Sequence, residues 1–130
     1  MPFVSITRLR LRSPLYLPLF LRYAVPSFQE SAAASGNLFT QTRRQKLTIF
    51  WTFTVWEDEA SMRRYIVSGT HRQAMPKLAQ WCNEASTVHW LQASSELPPW
   101  EEIQQRMTAN GRLYPVQHPS QSHAAGIIQV

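Results

Sequence analysis

Residues 47–60 read Leu47-Thr48-Ile49-Phe50-Trp51-Thr52-Phe53-Thr54-Val55-Trp56-Glu57-Asp58-Glu59-Ala60. Side chains alternate between the two faces of a strand, so Leu47, Ile49, Trp51, Phe53 and Val55 share one face. Thr48, Phe50, Thr52, Thr54 and Trp56 share the other. One face is wholly apolar and the other mixes Thr with large aromatics, the pattern of a central strand covered on both sides. Glu57-Asp58-Glu59 then sets acids where a helix begins, which suits the positive end of its dipole.

Working outward, Phe3 to Arg12 reads as a strand with a phase slip, and hence a bulge, near Thr7 and Arg8. Ser13-Pro14 is a helix start, and Leu17, Phe20, Leu21, Ala24 and Phe28 recur at helical spacing. Pro26 is expected to kink or end that helix. Asn37 to Arg44 is a second strand. After the quoted run, Met62, Tyr65 and Ile66 mark a helix broken at Ser68-Gly69. His71, Met75, Leu78 and Cys82 share one side of its continuation. Ser86 to Ala93 is the fourth strand. A short helix over about 98–109 carries Trp100, Ile103 and Met107 on one edge.

This order predicts an α+β fold, a ferredoxin-like βαββαβ sandwich with a four-stranded antiparallel sheet. Helices cover one face. The aromatic face left over needs cover too, and a second copy of the sheet is the economical choice, giving a homodimer. The domain is expected over residues 1–111, with its core at 3–93, and 112–130 as a flexible tail without periodicity.

With 130 residues, 44% hydrophobic and 16% charged, the chain is one domain with a core, not a disordered segment. A single Cys (Cys82) excludes an internal disulfide and a cysteine-cluster zinc site. The stretch from Pro14 to Val25 is too short and too interrupted to span a bilayer, so a cytoplasmic location is expected. Lys and Arg number 13 against 8 Asp and Glu, a net charge of +5. Arg8, Arg10, Arg12, Arg43 and Arg44 are the residues a nucleic acid would use, but the sheet lacks an RNA-binding aromatic signature. There is no Gly-rich phosphate loop, nucleophile elbow or metal signature.

The quoted run, with Ser68-Gly69-Thr70-His71-Arg72-Gln73-Ala74-Met75, resembles the dimeric α+β barrel superfamily and its antibiotic-biosynthesis-monooxygenase-like domains. A spheroidene-monooxygenase-like branch is similar as well. The likeness covers about residues 3–93 and implies a homodimer with a pocket between helices and sheet. Members range from cofactor-free oxygenases to haem-degrading enzymes. In the haem-degrading branch an Asn, a Trp and a His would fall on Thr7, Tyr65 and Met75, and all three differ, so haem is disfavoured and no cofactor is expected.

His71 is the expected catalytic residue, a general base for a phenolic or enolic substrate. Trp51, Trp56, Tyr65 and Trp90, with Thr7 and Met75, are the expected lining of a site for a small hydrophobic or aromatic molecule. No metal site is expected; His89 reads as an interface or sheet-surface residue, and His118 and His123 as tail residues. Two functions compete. One is a cofactor-independent oxygenase acting on a small aromatic or polyene substrate; the other is a non-catalytic dimeric binding module using the same pocket.

Overall fold

The computed structural model describes all 130 residues. The elements are β1 (Phe3–Leu11), a 3-10 turn (Pro14–Tyr16), α1 (Leu17–Ala33), β2 (Asn37–Gln45), β3 (Ile49–Trp56), α2 (Glu59–Ile66), α3 (Gly69–Trp81), β4 (Cys82–Leu91), α4 (Trp100–Asn110), β5 (Arg112–Leu113) and α5 (Gln121–Ala124). The sheet is antiparallel with five strands in the order β2-β3-β1-β4-β5, one more than expected. The addition is the two-residue β5, which pairs Leu113 with Ser86 and Arg112 with Thr87 and is too short to show periodicity.

β1 lies in the centre, and its phase slip has another cause than a bulge at Thr7. Its register with β3 is unbroken from Phe3 to Arg10, and the irregularity falls between Arg10 and Leu11 against β4. Val4, Ile6 and the buried Arg8 share one face; Phe3, Leu9 and Leu11 share the other. What looks like a slip is a strand buried on both faces, with one buried Arg in an apolar row. α1 continues through Pro26 and α3 through Pro76, neither of which ends its helix.

The two faces carry different covers. α1, α2 and α3 lie over Leu9, Leu11, Phe50, Trp56 and Phe3. Over the other face, Ile103 and Met107 of α4 join Val4, Ile6, Ile49, Trp51, Phe53, Val55 and Val88 in the largest buried cluster. The aromatic face expected to need a second subunit is therefore covered by the chain's own α4. The stripe of Trp100, Ile103 and Met107 is what it docks with.

Residues 112–130 are not a free tail in this structure. Tyr114, Gln117 and Ser120 donate backbone N–H bonds to the carbonyls of Ala85, Ala79 and Asn83. Val116 packs on the helix-side cluster and Ile128 on the α4 side. Backbone bonds with two isolated anchors hold such a segment without any repeating apolar pattern.

Two local devices set the helix layer. Asp58 caps α2 by accepting from the Ser61 N–H at 2.8 Å and its hydroxyl at 2.7 Å. Before β2, Gly36 has φ +86°, and a Cβ there would come within 2.2 Å of the Ser61 hydroxyl, so this turn admits only glycine.

Candidate functional site

Sheet register divides the helix-covered face into rows. Phe3 and Trp56 form an apolar row at one end, and Leu9, Phe50 and Ala85 form one at the other. Between them lie two polar rows: Ser5 with Thr54 and His89, and Thr7 with Thr52 and Thr87. The helices pack on both apolar ends, with Met62 at the first and Phe20 and Trp81 at the second. The Thr54 and Thr87 hydroxyls donate to the β1 carbonyls of Ser5 and Ile6 at 3.2 and 3.0 Å. Ser5, Thr7 and Thr52 are half-buried. Their hydroxyls carry no bond within the chain, so they are the uncommitted groups on this floor.

An aromatic stack rises from the Trp56 end. Trp56 and Tyr65 have ring centroids 5.5 Å apart, and Tyr65 and His71 are 5.1 Å apart. The Tyr65 hydroxyl donates to the Ser27 carbonyl at 2.7 Å, and burial first, then the charge of Glu30, pushes its pKa up to about 12. That phenol is a fixed neutral prop, not a proton carrier at ordinary pH.

His71 is half-buried, and its Nδ1 lies 3.2 Å from the Ile66 carbonyl. A carbonyl only accepts, so Nδ1 bears the proton and Nε2 holds the lone pair. Burial depresses the imidazole pKa, against the opposing pull of the Ile66 carbonyl and Glu30. The ring is thus neutral and basic at Nε2 near pH 7. Glu30 of α1 fixes the start of α3 below it, accepting from the Thr70 N–H at 3.1 Å and its hydroxyl at 3.0 Å.

The expected site residues are not all brought together. Thr7, Trp56, Tyr65 and His71 lie on the helix side of the sheet, and Met75 is half-buried on α3. Trp51 and Trp90 lie on the α4 side. Trp51 is fully buried, edge-on to Trp100 at 4.8 Å with its Nε1 donating to Gln45, and Trp90 packs on the same cluster. They are core residues, separated from His71 by the sheet. Sequence reasoning missed Ser5 and Thr52, although both share the period-two phase of Thr7 and Trp56.

The residues present do not fit haem. Trp56, Tyr65 and His71 are already in contact, leaving no slot for a macrocycle among them. Met75, where the resemblance to the haem-degrading branch would place an imidazole ligand, offers a thioether instead. Nor do three or more His, Cys, Asp or Glu side chains converge anywhere to hold a metal ion.

Comparison with known proteins bears on the fold. The fold is similar to SnoaB, a cofactor-independent oxygenase from Streptomyces nogalater, at TM-score 0.59 and 15% identity, covering 75% of this chain and 98% of that one. It is similar to an antibiotic biosynthesis monooxygenase at TM-score 0.63 and 10% identity, covering 71% and 99%. Rv0793 from Mycobacterium tuberculosis matches at TM-score 0.65 and 9% identity, covering 72% and 97%. At such identities the likeness establishes the antibiotic-biosynthesis-monooxygenase-like α+β fold and no more. No curated protein matches the sequence. The family described as Domain of unknown function (DUF3291) matches residues 23–112, from within α1 to β5. The chain therefore belongs to the DUF3291 family.

Proposed function

We propose that the protein binds a small aromatic or polyene molecule between the helices and the sheet, and acts on it as a cofactor-independent oxygenase. The observation that carries this reading is His71: a neutral imidazole with Nδ1–H on the Ile66 carbonyl, a free basic Nε2, and an aromatic stack beside it. Nε2 takes the acidic proton of a phenolic or enolic substrate, Tyr65, backed by the fully buried Trp56, forms the aromatic wall, and Thr7 with Ser5 and Thr52 bonds its oxygens. The resulting anion is the reductant. One oxygen atom of O2 enters a methylene carbon as a carbonyl, and the other leaves as water with the two hydrogens of that carbon. A homodimer is part of this proposal, as is a cytoplasmic location. No helix is long and apolar enough to cross a membrane.

The competing reading, a binding module without turnover, draws on Tyr65. Its phenol is committed to Ser27, so His71 is the one acid–base group in the stack. Native mass spectrometry of the protein purified from cells, against the same sample denatured, identifies the chain count and any resident ligand. With that ligand or an oxidisable phenol as substrate, His71→Ala is expected to lower turnover about 100-fold, as expected for loss of a general base. The acid limb of the wild-type rate profile should lie below about pH 6.5, the ordinary histidine value, because burial lowers this imidazole's pKa. Unchanged turnover in His71→Ala would remove the imidazole from the mechanism. Ligand held without product would favour the binding module.

A further inference from the structure

On the α4 side of the sheet, at the β2–β3 turn, a cleft of about 620 Å3 is lined by Arg8, Arg10, Arg43, Arg44 and Lys46, with Glu84 as its one acidic side chain. Five cations against one carboxylate leave a net side-chain charge of +4. Glu84 is already saturated: Oε1 accepts from Arg8 Nη1 at 2.8 Å, and Oε2 accepts from the Ser120 hydroxyl at 2.7 Å and Arg10 Nη1 at 3.4 Å. Arg43 has no carboxylate partner; its guanidinium lies over the Trp100 ring, 4.2 Å from the centroid. Arg44 donates to the Leu47 carbonyl at 3.2 and 2.9 Å, which orients it at the rim. Gln129 and Val130 also line the cleft, and Val130 forms no ion pair with any of the cations.

Arg8 makes this more than a basic surface. It is 4% exposed, on the central strand, and its Nε–H is buried without an acceptor. Since Glu84 takes Nη1, the Nε–Nη2 edge is left over, and that is the edge with which a guanidinium grips a carboxylate or phosphate through two parallel bonds. A buried Nε–H without an acceptor is costly unless something else supplies one. We infer that this cleft is a binding site for a small, multiply charged anion, a di- or polyphosphate group or a polycarboxylate, with Arg8 as its buried anchor and Arg10, Arg43, Arg44 and Lys46 as its rim. It lies on the opposite side of the sheet from His71 and is independent of the chemistry proposed there.

The test is isothermal titration of the full chain with inorganic pyrophosphate, with citrate, and with sodium chloride at matched ionic strength. A mixed-sequence 20-nucleotide single strand provides the polyanion control. Saturable binding of pyrophosphate or citrate is expected, and the preferred probe assigns phosphate or carboxylate as the group recognised. A double variant at the exposed rim, Arg43→Gln with Lys46→Gln, should weaken it at least 10-fold while leaving the fold intact by circular dichroism. Arg8→Lys, which keeps the charge but removes the fork, should weaken it further. Heat no larger than that of chloride would overturn the proposal, as would undiminished affinity in the rim variant. Binding of the oligonucleotide alone would overturn it in favour of a non-specific polyanion surface.

Discussion

Trp51→Ala is expected to destabilise the protein by about 3–5 kcal/mol, the usual loss for a fully buried large aromatic. Trp51 is 0% exposed, lies 4.8 Å from Trp100 and 6.3 Å from Phe53 between ring centroids, and donates to Gln45 at 2.7 Å. Its removal leaves a cavity bounded by the sheet below and α4 above. For a domain of this size the melting temperature should fall by roughly 10–20 °C. Trp100→Ala should lose distinctly less, because Trp100 is only half-buried at the edge of the same contact. Urea unfolding monitored by far-ultraviolet circular dichroism measures both. A Trp51→Ala loss under about 1 kcal/mol would mean that α4 does not cover this face in solution.

Glu84→Ala is the second large effect. The Arg8 and Glu84 side chains are 5% and 7% exposed, and their ion pair spans 2.8 Å. Removing the carboxylate strands a buried guanidinium, at about 3–5 kcal/mol. Arg8→Met with Glu84→Leu removes both charges together, and most of that loss should return. If the double variant is as unstable as the single one, packing and not uncompensated charge is responsible. The pair also predicts an acid response. Burial by itself would raise the Glu84 pKa, but the Arg8 and Ser120 hydrogen bonds and the Arg8 and Arg10 charges outweigh it and hold it below the ordinary value. The folded pKa is thus below the unfolded one, about 4.3. The contribution is whole above that pH and is lost as pH falls through the lower folded value. In Glu84→Ala the stability profile should be flatter below pH 4.

The quoted run shows both what sequence can reveal and where it stops. Period-two alternation from Ile49 to Trp56 locates a strand buried on both faces, and the Asp58 cap and Ser68-Gly69 break follow from local chemistry. Strand parity puts Trp51 and Trp56 on opposite faces, because their spacing is odd, and the expectation of one site lined by both overlooked it. Which cover lies on which face is another matter. The apolar edge of Trp100, Ile103 and Met107 is legible, but its docking target is a surface assembled from three strands. Arg8 and Glu84 are 76 positions apart, and nothing local marks either as half of a buried pair. His71 is identifiable as a candidate from its type and helix face. The tautomer that makes it basic depends on the Ile66 carbonyl, which only the turn between α2 and α3 brings to it.

The central place of β1 has a consequence for how the chain is made. β1 leaves the ribosome before either strand it is hydrogen-bonded to, β3 and β4, and Phe3 pairs with Leu91 at the far end of the fold. At a synthesis rate of about 5–20 residues per second, β1 waits several seconds for β4, holding Val4, Ile6 and Arg8 without their native neighbours. Sheets closed by such distant pairings are slow to form. The cations at Arg8, Arg10 and Arg12 interrupt the apolar row during that interval, as charged gatekeepers do beside strands prone to self-association.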